Sequence, residues 1–489
     1  MQLTQKLLPT VNVVARVSML FSLSIIVPII VAWWNNDAGL WPFIDALIGL
    51  QIFSAALWLL TRNYRRELLP RDGFILVVGL WTALPAVAAV PLMLYDPTMS
   101  FTNAYFETMS ALSTTGATVM TGLDHLPASI NLWRHLLNWL GGMGIIVLAV
   151  AIFPLLGVGG MQLFKAETPG PIKDSKLTPR IHETARNLWL IYAGLTAICT
   201  LLLRWVGEMS WLDAVCHAFA AMCLGGFSTH DASVGFFNSP LIEVILMIFM
   251  LLAATNFATH YFALSGRKLS VYWRDTEFKA MLLLIVSSTI GLSFFLLWQK
   301  TYPDFLTSLR HVSFNLISIA TDCGFASVDF GQWPIFAPLV MLLLSCITAC
   351  AGSTGGGIKM IRTIIQTREV GRQMSLLLHP QGIHPLRVNG QIIPAPILAS
   401  VMGFIFLYFS SIVVLTFTLL VSGMDFISSF SAIIACINNA GPGLGEVGPA
   451  SNYSGLTDFQ TWVCSFTMLL GRLEIFSVLI LFTTAFWRN

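Results

Sequence analysis

The chain has 489 residues, 56% of them hydrophobic and only 10% charged, with a net charge of +2. Soluble domains carry about 25% charged residues, so this composition excludes a soluble globular protein. The near-neutral balance gives no electrostatic reason to expect nucleic acid as a partner. Apolar runs of 18 or more residues recur along the whole chain, each long enough to span a bilayer.

Ten spans are expected, at about 13–33, 41–61, 74–94, 132–156, 187–206, 240–264, 279–298, 334–364, 393–422 and 460–487. The first, Val13 to Trp33, carries a charge only at its start (Arg16), lacks a small-residue cleavage site, and reads as a retained helix. Lys and Arg then alternate from side to side. RNYRRELLPRDG holds four, the segment 157–186 five and the segment 265–279 four, and 357–392 adds Lys359, Arg362, Arg368, Arg372 and Arg387. Between them, 34–40, 95–131, 207–239 and 423–459 hold none, and 299–333 only Lys300 and Arg310. The positive-inside rule then places both termini in the cytoplasm. The cytoplasmic stretches TPGPIKDSKLTPR and LLLHPQGIHPLRVNGQ are polar and rich in Pro and Gly, so they read as linkers or docking surfaces, and a large regulatory domain would come from another chain. Tryptophans near span ends (Trp33, Trp34, Trp41, Trp333, Trp487) fit interfacial anchoring among membrane lipid. The eight cysteines form no CxxC pair and read as small buried hydrophobes.

Four of the outer stretches share a pattern. Each begins with a semi-apolar helical run too short to cross the bilayer and then meets small and polar residues around a glycine: FETMSALSTTGATVMTG, LDAVCHAFAAMCLGGFSTHD, LRHVSFNLISIATDCGFASVDF and SSFSAIIACINNAGPGLGEVG. Aligned on Gly116, Gly225, Gly324 and Gly441, they recur at intervals of about 100–120 residues, the mark of one unit used four times. Repeats running the same way through the membrane are related by an axis along its normal. The fold class is therefore all-α polytopic membrane protein, with four helix–pore loop–helix repeats around a pseudo-fourfold axis and two extra N-terminal helices. The expected boundaries are 1–70 for those two helices, then 71–160, 187–265, 278–365 and 393–489 for the repeats.

A short helix entering halfway directs its partly negative C-terminal end at the membrane interior, where a cation is stabilised. The extended segment after it can turn carbonyls inward to replace the water of a dehydrated ion. The candidate ligands, mainly through backbone carbonyls, are Thr114, Thr115 and Gly116; Cys223, Leu224 and Gly225; Asp322, Cys323 and Gly324; and Asn439, Ala440 and Gly441. Only Asp322 brings a carboxylate, so the set favours a large, weakly hydrated monovalent ion, potassium over calcium. One TTG or GGF alone would more simply serve helix packing; four in the same context point to a common role.

Span 8 is interrupted by AGSTGGG, residues 351–357, which cannot hold a helix at roughly 1 kcal/mol per glycine. It lacks the spacing and preceding strand of a phosphate loop. An unwound, mobile segment just below the filter is expected, comprising Gly352, Ser353, Thr354, Gly355, Gly356 and Gly357 and followed by Lys359. Span 10 places Arg472 and Glu474 near its centre, two apart and facing different ways, and an intramembrane Arg points to function. Glu107 and Asp213 read as caps or buried polar partners, and NWLGGMGIIVL as a site of close helix packing.

The segments STTGAT, LGGFSTHD, ATDCGF, NNAGPG and GSTGGGIK together resemble the Trk/Ktr/HKT superfamily of potassium transporters, most of all its bacterial TrkH-type membrane subunit, over essentially the whole chain. The resemblance implies potassium uptake through a pore along the repeat axis, in a homodimer of the bacterial inner membrane. It also implies a cytosolic TrkA-type regulatory ring that binds NAD or ATP. It makes residues 352–357 the gate and puts Arg472 in the pore beneath the filter. The family's filters often carry Ser or Thr beside the glycine, as at Thr114 and Thr115; the second and fourth repeats depart from this. Potassium is the expected bound ion, with no covalent cofactor. A proton- or sodium-coupled secondary transporter is the alternative. A solute carrier with an acidic or His relay would need such residues within spans, and spans 3, 4, 5, 8 and 9 have almost none; no HExxH or nucleophile elbow suggests an enzyme.

Overall fold

A computed structural model describes residues 2–64, 70–152 and 181–488. Within them the chain is helical apart from a small ribbon, Arg387–Val388 paired with Gln391–Ile392. Its turn, Asn389–Gly390, has positive φ at both residues, the geometry that an Asn-Gly pair favours in a two-residue hairpin.

Among the described residues, six helices are long and apolar enough to cross a membrane: Leu7–Asn35, Leu40–Thr61, Arg71–Tyr95, Arg186–Trp205, Thr276–Trp298 and Ala395–Val421. Two expected spans, 240–264 and 460–487, are broken rather than continuous. Pro240–Ala254 meets Phe257–Gly266 at 97°, and Asp458–Arg472 meets Phe476–Phe482 at 110°. The first break is made by Asn256, which leaves the helix and caps the next one through Ala258 N–H (2.8 Å). At the second break Glu474 and Ile475 both have positive φ, which an α-helix of L-residues does not permit. Interruption of the expected span 334–364 is present as well: Phe336–Ser345 ends and Met360–Leu378 begins after the glycine-rich segment. The second helix is thus broken in repeats 2, 3 and 4, not in repeat 3 alone. Span 132–156 starts as the helix Ala128–Ile152; its last residues and the basic segment 157–180 lie outside the described residues.

The four short helices are Phe101–Leu112, Trp211–Cys223, Phe305–Ala320 and Phe426–Asn438, and each packs between the helices that precede and follow it. All four start in the same way. Ser100, Ser210, Asp304 and Asp425 occupy the N-cap, and each side chain accepts the amide three residues on, at 3.2, 3.1, 2.8 and 3.0 Å. Hydrogen bonds from Thr307 hold the Asp304 carboxyl below the ordinary carboxylate range. The two N-terminal helices lean on repeat 1, where Asp37 accepts from Ser129 N and Oγ (3.0 and 2.8 Å) and Phe21 and Phe43 pack on the buried Trp133. Trp33, Trp34 and Trp41 are exposed as lipid-facing anchors would be. Trp333 is not; it is buried and donates to Tyr302 Oη (3.2 Å). All eight cysteines are buried and unpaired, as small hydrophobes would be.

Gly141 and Gly142 of NWLGGMG admit close neighbours, and Gly144 faces open space. A Cβ on Gly141 would strike the Leu112 carbonyl, at the end of the first short helix, and one on Gly471 would strike that of Ile437 in the fourth. Gly141→Ala should cost about 1–3 kcal/mol through overpacking, read as a lower thermal midpoint of the purified protein. Gly49→Ala, in open space on Leu40–Thr61, should lower it by nothing.

Candidate functional site

Each short helix ends in the same turn. The amides of Thr115, Gly225, Cys323 and Ala440 bond back to the carbonyls of Ser110, Ala220, Ser318 and Ala435 at 2.8–2.9 Å, the six-to-one closure of a helix that ends in a left-handed residue. The residue before each amide is left-handed: Thr114 (φ 57°), Leu224 (54°), Asp322 (65°) and Asn439 (58°). The residue after it is a glycine at positive φ: Gly116 (82°), Gly226 (62°), Gly324 (95°) and Gly441 (85°). These marks fix the register. The second repeat contributes Leu224–Gly225–Gly226, one residue later than the alignment on Gly225 with Cys223 and Leu224 before it. LGGF offers two glycines that spacing cannot choose between, and only the second is left-handed. Cys223 is the last residue of its helix, with Sγ 3.3 Å from Asn138 Oδ1. A non-glycine residue held left-handed costs about 1–2 kcal/mol, and four at equivalent places mark backbone strain of the kind that collects at functional sites.

The turns form a closed ring. A Cβ on Gly116 would collide with the Gly225 carbonyl, on Gly226 with that of Cys323, on Gly324 with that of Ala440, and on Gly441 with that of Thr115. Each turn touches the next in chain order and the fourth closes on the first. The four glycines line one cavity of about 80 Å³ together with Thr118, Arg134, Phe227 and Asp231, space for a few waters. Cross-links hold the ring from outside. Tyr453 donates its hydroxyl to Gly441 O and its amide to Thr118 O (both 2.9 Å), and Gly235 N bonds to Ala326 O (3.1 Å).

On the other side of the ring a second cavity, about 70 Å³, is lined by Trp81, Gly141–Gly144, Ser353, Gly355–Gly357, Lys359, Asn439 and Gly471–Glu474. The glycine-rich segment forms its floor and is held from every side. Phe257 N bonds to Gly352 O (3.0 Å), Cys350 N to Ala254 O (3.0 Å), and Thr354 Oγ1 to Met222 O (3.2 Å). Ser353 Oγ bonds to Cys350 O (2.6 Å) and the buried Lys359 donates Nζ to Gly355 O. Gly356 rests on the Asn438 carbonyl and Gly357 on those of Ser345 and Cys346. The break at Asn256 is therefore part of this segment's seat, a link that the apolar run 240–264 conceals.

Arg472 joins the two halves. Its Nη1 reaches Thr114 Oγ1 in the ring and Thr354 O in the glycine-rich segment, both at 3.2 Å, while Nη2 donates to Gly141 O and to Gly142 O (3.2 Å). Glu474 lies past the end of that helix, at the left-handed break, and pairs with Arg362 at 2.6 Å. Asn439 ties the fourth turn to the first through Thr115 Oγ1 (2.9 Å). Asp322 is fully buried with its carboxylate toward Gly355. The structure thus brings together residues of all four turns with the glycine-rich segment and Arg472; of the candidate residues only Cys223 belongs to the wall behind.

Residues 42–488 match the TrkH family model, described as a cation transport protein. The chain belongs to the TrkH family. It is 43% identical over 482 residues to the Trk system potassium uptake protein TrkH of Vibrio parahaemolyticus, covering 98% of this chain and 99% of that one. To the protein of the same name in Escherichia coli it is 42% identical over 479 residues, with 98% and 99% covered. A solved structure titled as the potassium transporter TrkH from Vibrio parahaemolyticus superposes with a TM-score of 0.88 at 40% identity, over 98% of this chain and 99% of that one. TrkH is a membrane transport family, not one of enzymes.

If the ring needs left-handed glycine at every turn, Gly116→Ala, Gly226→Ala, Gly324→Ala and Gly441→Ala should each cut cation uptake by about tenfold or more. Gly122→Ala, left-handed but in open space, should keep it. Equal tolerance of Gly226→Ala and Gly122→Ala would undo the register.

Proposed function

We propose that this chain is the membrane subunit of a potassium uptake system, conducting potassium through the ring of four turns. One observation carries this: four equivalent strained turns close on one another around a single cavity, in a chain of the TrkH family. The ligands are backbone oxygens of Thr114–Gly116, Leu224–Gly226, Asp322–Gly324 and Asn439–Gly441. Carbonyls fixed in a ring replace the water around a dehydrated potassium ion at little reorganisation cost. The C-terminal ends of the four short helices add negative potential at the same point.

Residues 352–357 are the gate. They lie between the ring and the cytoplasmic side, held by hydrogen bonds, not by an apolar core, and so can be released without exposing hydrophobic surface. Arg472 and Lys359 put fixed positive charge in the inner cavity while bound to the segment's own carbonyls. A cation passing the closed segment would meet both charges; opening carries the segment and its contacts aside. We assign the repeats to 71–160, 187–265, 278–365 and 393–489, after two N-terminal helices in 1–70. We assign the chain to a bacterial inner membrane with both termini on the cytoplasmic side, an orientation that the lysine and arginine pattern supports. The relatives' names assign them to a Trk system, which supports further subunits beside this one; the assembly we propose is a homodimer served by a TrkA-type nucleotide-binding ring.

Expression in cells lacking potassium uptake should restore growth at low potassium, and purified protein in vesicles should carry potassium or rubidium down an imposed voltage. No rescue and no flux would reject the proposal. Arg472→Ala should raise the cation leak of vesicles several-fold, because the clasp on Thr354 and its charge are lost together. Unchanged leak would remove Arg472 from the gate.

A further inference from the structure

The ion pair Arg134–Glu107 lies beside the ring, where Arg134 lines the cavity without belonging to any of the four turns. Arg134 lies on Ala128–Ile152 and Glu107 within the first short helix, with side chains 1% and 0% exposed. Arg134 Nε donates to Glu107 Oε1 at 2.8 Å. Its Nη2 reaches Thr118 Oγ1 (3.2 Å) and its Nη1 reaches Asn131 Oδ1 (3.2 Å) and Ser228 O (3.4 Å), with the guanidinium 4.5 Å from the Phe227 ring centre. Glu107 also accepts from Thr118 Oγ1 (2.9 and 3.0 Å) and Val119 N (3.0 Å). The pair therefore spans the first and second turns, just beyond Gly116 and Gly226, and Arg134 lines the same cavity as the four ring glycines.

Holding the turn does not require charge. Val119 lies three residues after its ring glycine, and the equivalent amides in repeats 3 and 4 are those of Ser327 and Leu444. Ser327 N is accepted by Asn315 Oδ1 (3.1 Å) and Leu444 N by Ser431 Oγ (2.8 Å), both neutral. Asn315 even occupies the position of Glu107, nine residues before its glycine. A carboxylate at 107 thus answers something that repeats 3 and 4 do not have, and that is Arg134. A buried guanidinium on the wall of this cavity repels an entering cation unless an opposite charge sits against it, because screening is weak in a low-dielectric wall.

We infer that Arg134 and Glu107 form a charge-balanced clamp at the outer mouth: the guanidinium ties turn 1 to turn 2, and Glu107 cancels its field for the arriving cation. This rests on the ring being the cation pathway. Neither residue ligates the ion; both act through position and potential.

The test is potassium uptake by full-length protein in vesicles, with external barium as competing divalent probe. Glu107→Gln leaves the guanidinium bare, so KM for potassium should rise about tenfold and barium inhibition weaken similarly. Arg134→Gln leaves the carboxylate bare, so barium inhibition should strengthen about tenfold, with KM unchanged or lower. Glu107→Gln with Arg134→Gln should return barium inhibition toward the original. A merely structural pair would move both single variants the same way, and that result overturns the inference. Where a single variant does not reach the membrane, Glu107→Asp and Arg134→Lys, which keep the charges, must hold barium inhibition within about threefold; a larger change in either also overturns it. If unaltered protein takes up potassium with no competition from barium at all, the pathway itself is misassigned, a separate failure.

Discussion

Backbone amides and carbonyls released from a helix inside a bilayer have no water to bond to, so each must find a partner in the protein or in the transported ion. This chain releases backbone at four ring turns, through the fourteen residues between Ser345 and Met360, at Asn256, and at Glu474 and Ile475. The released groups are used in two ways. Those of the turns are closed by the six-to-one bond on the helix side and face neighbouring turns on the other. Those of the glycine-rich segment are taken up by the breaks beside it, Phe257 N on Gly352 O and Cys350 N on Ala254 O. The breaks are a single connected system rather than separate irregularities, which explains why repeats 2, 3 and 4 lose their second helix where that segment sits.

Charge follows the same economy. Among the described residues, the cationic side chains beside the ring and the glycine-rich segment are tied to carbonyls or to one carboxylate: Arg472 to the carbonyls of Thr354, Gly141 and Gly142, Lys359 to Gly355, Arg362 to Glu474, Arg134 to Glu107. A buried ion pair adds little to stability, because desolvation offsets most of its attraction. What such pairs do supply is a fixed position and a defined potential, and both matter along a route for cations. Arg472 combines the two roles, since one guanidinium bonds the ring at Thr114 and the glycine-rich segment at Thr354.

The overall class was legible in the sequence, because apolar length and the fourfold glycine pattern survive without any knowledge of tertiary contacts. AGSTGGG announced its own unwinding. Other features were hidden for physical reasons. LGGF leaves the second turn ambiguous by one residue, since the left-handed position depends on where the helix closes and not on which residue is glycine. Asn256 sits in a run whose hydropathy is that of an unbroken span, and its role appears only when its neighbour Gly352 arrives from about a hundred residues away. Glu107 and Arg134 are 27 residues apart on different helices, so no local spacing signals their pairing.

The central claim is that the four left-handed glycine turns surround one cation. Anomalous scattering from crystals grown in rubidium measures this directly. The account predicts a peak on the axis of the ring, within coordination distance of carbonyl oxygens from all four of Thr114–Gly116, Leu224–Gly226, Asp322–Gly324 and Asn439–Gly441. A protein that takes up rubidium yet shows no peak there, or binds it only elsewhere, would contradict it.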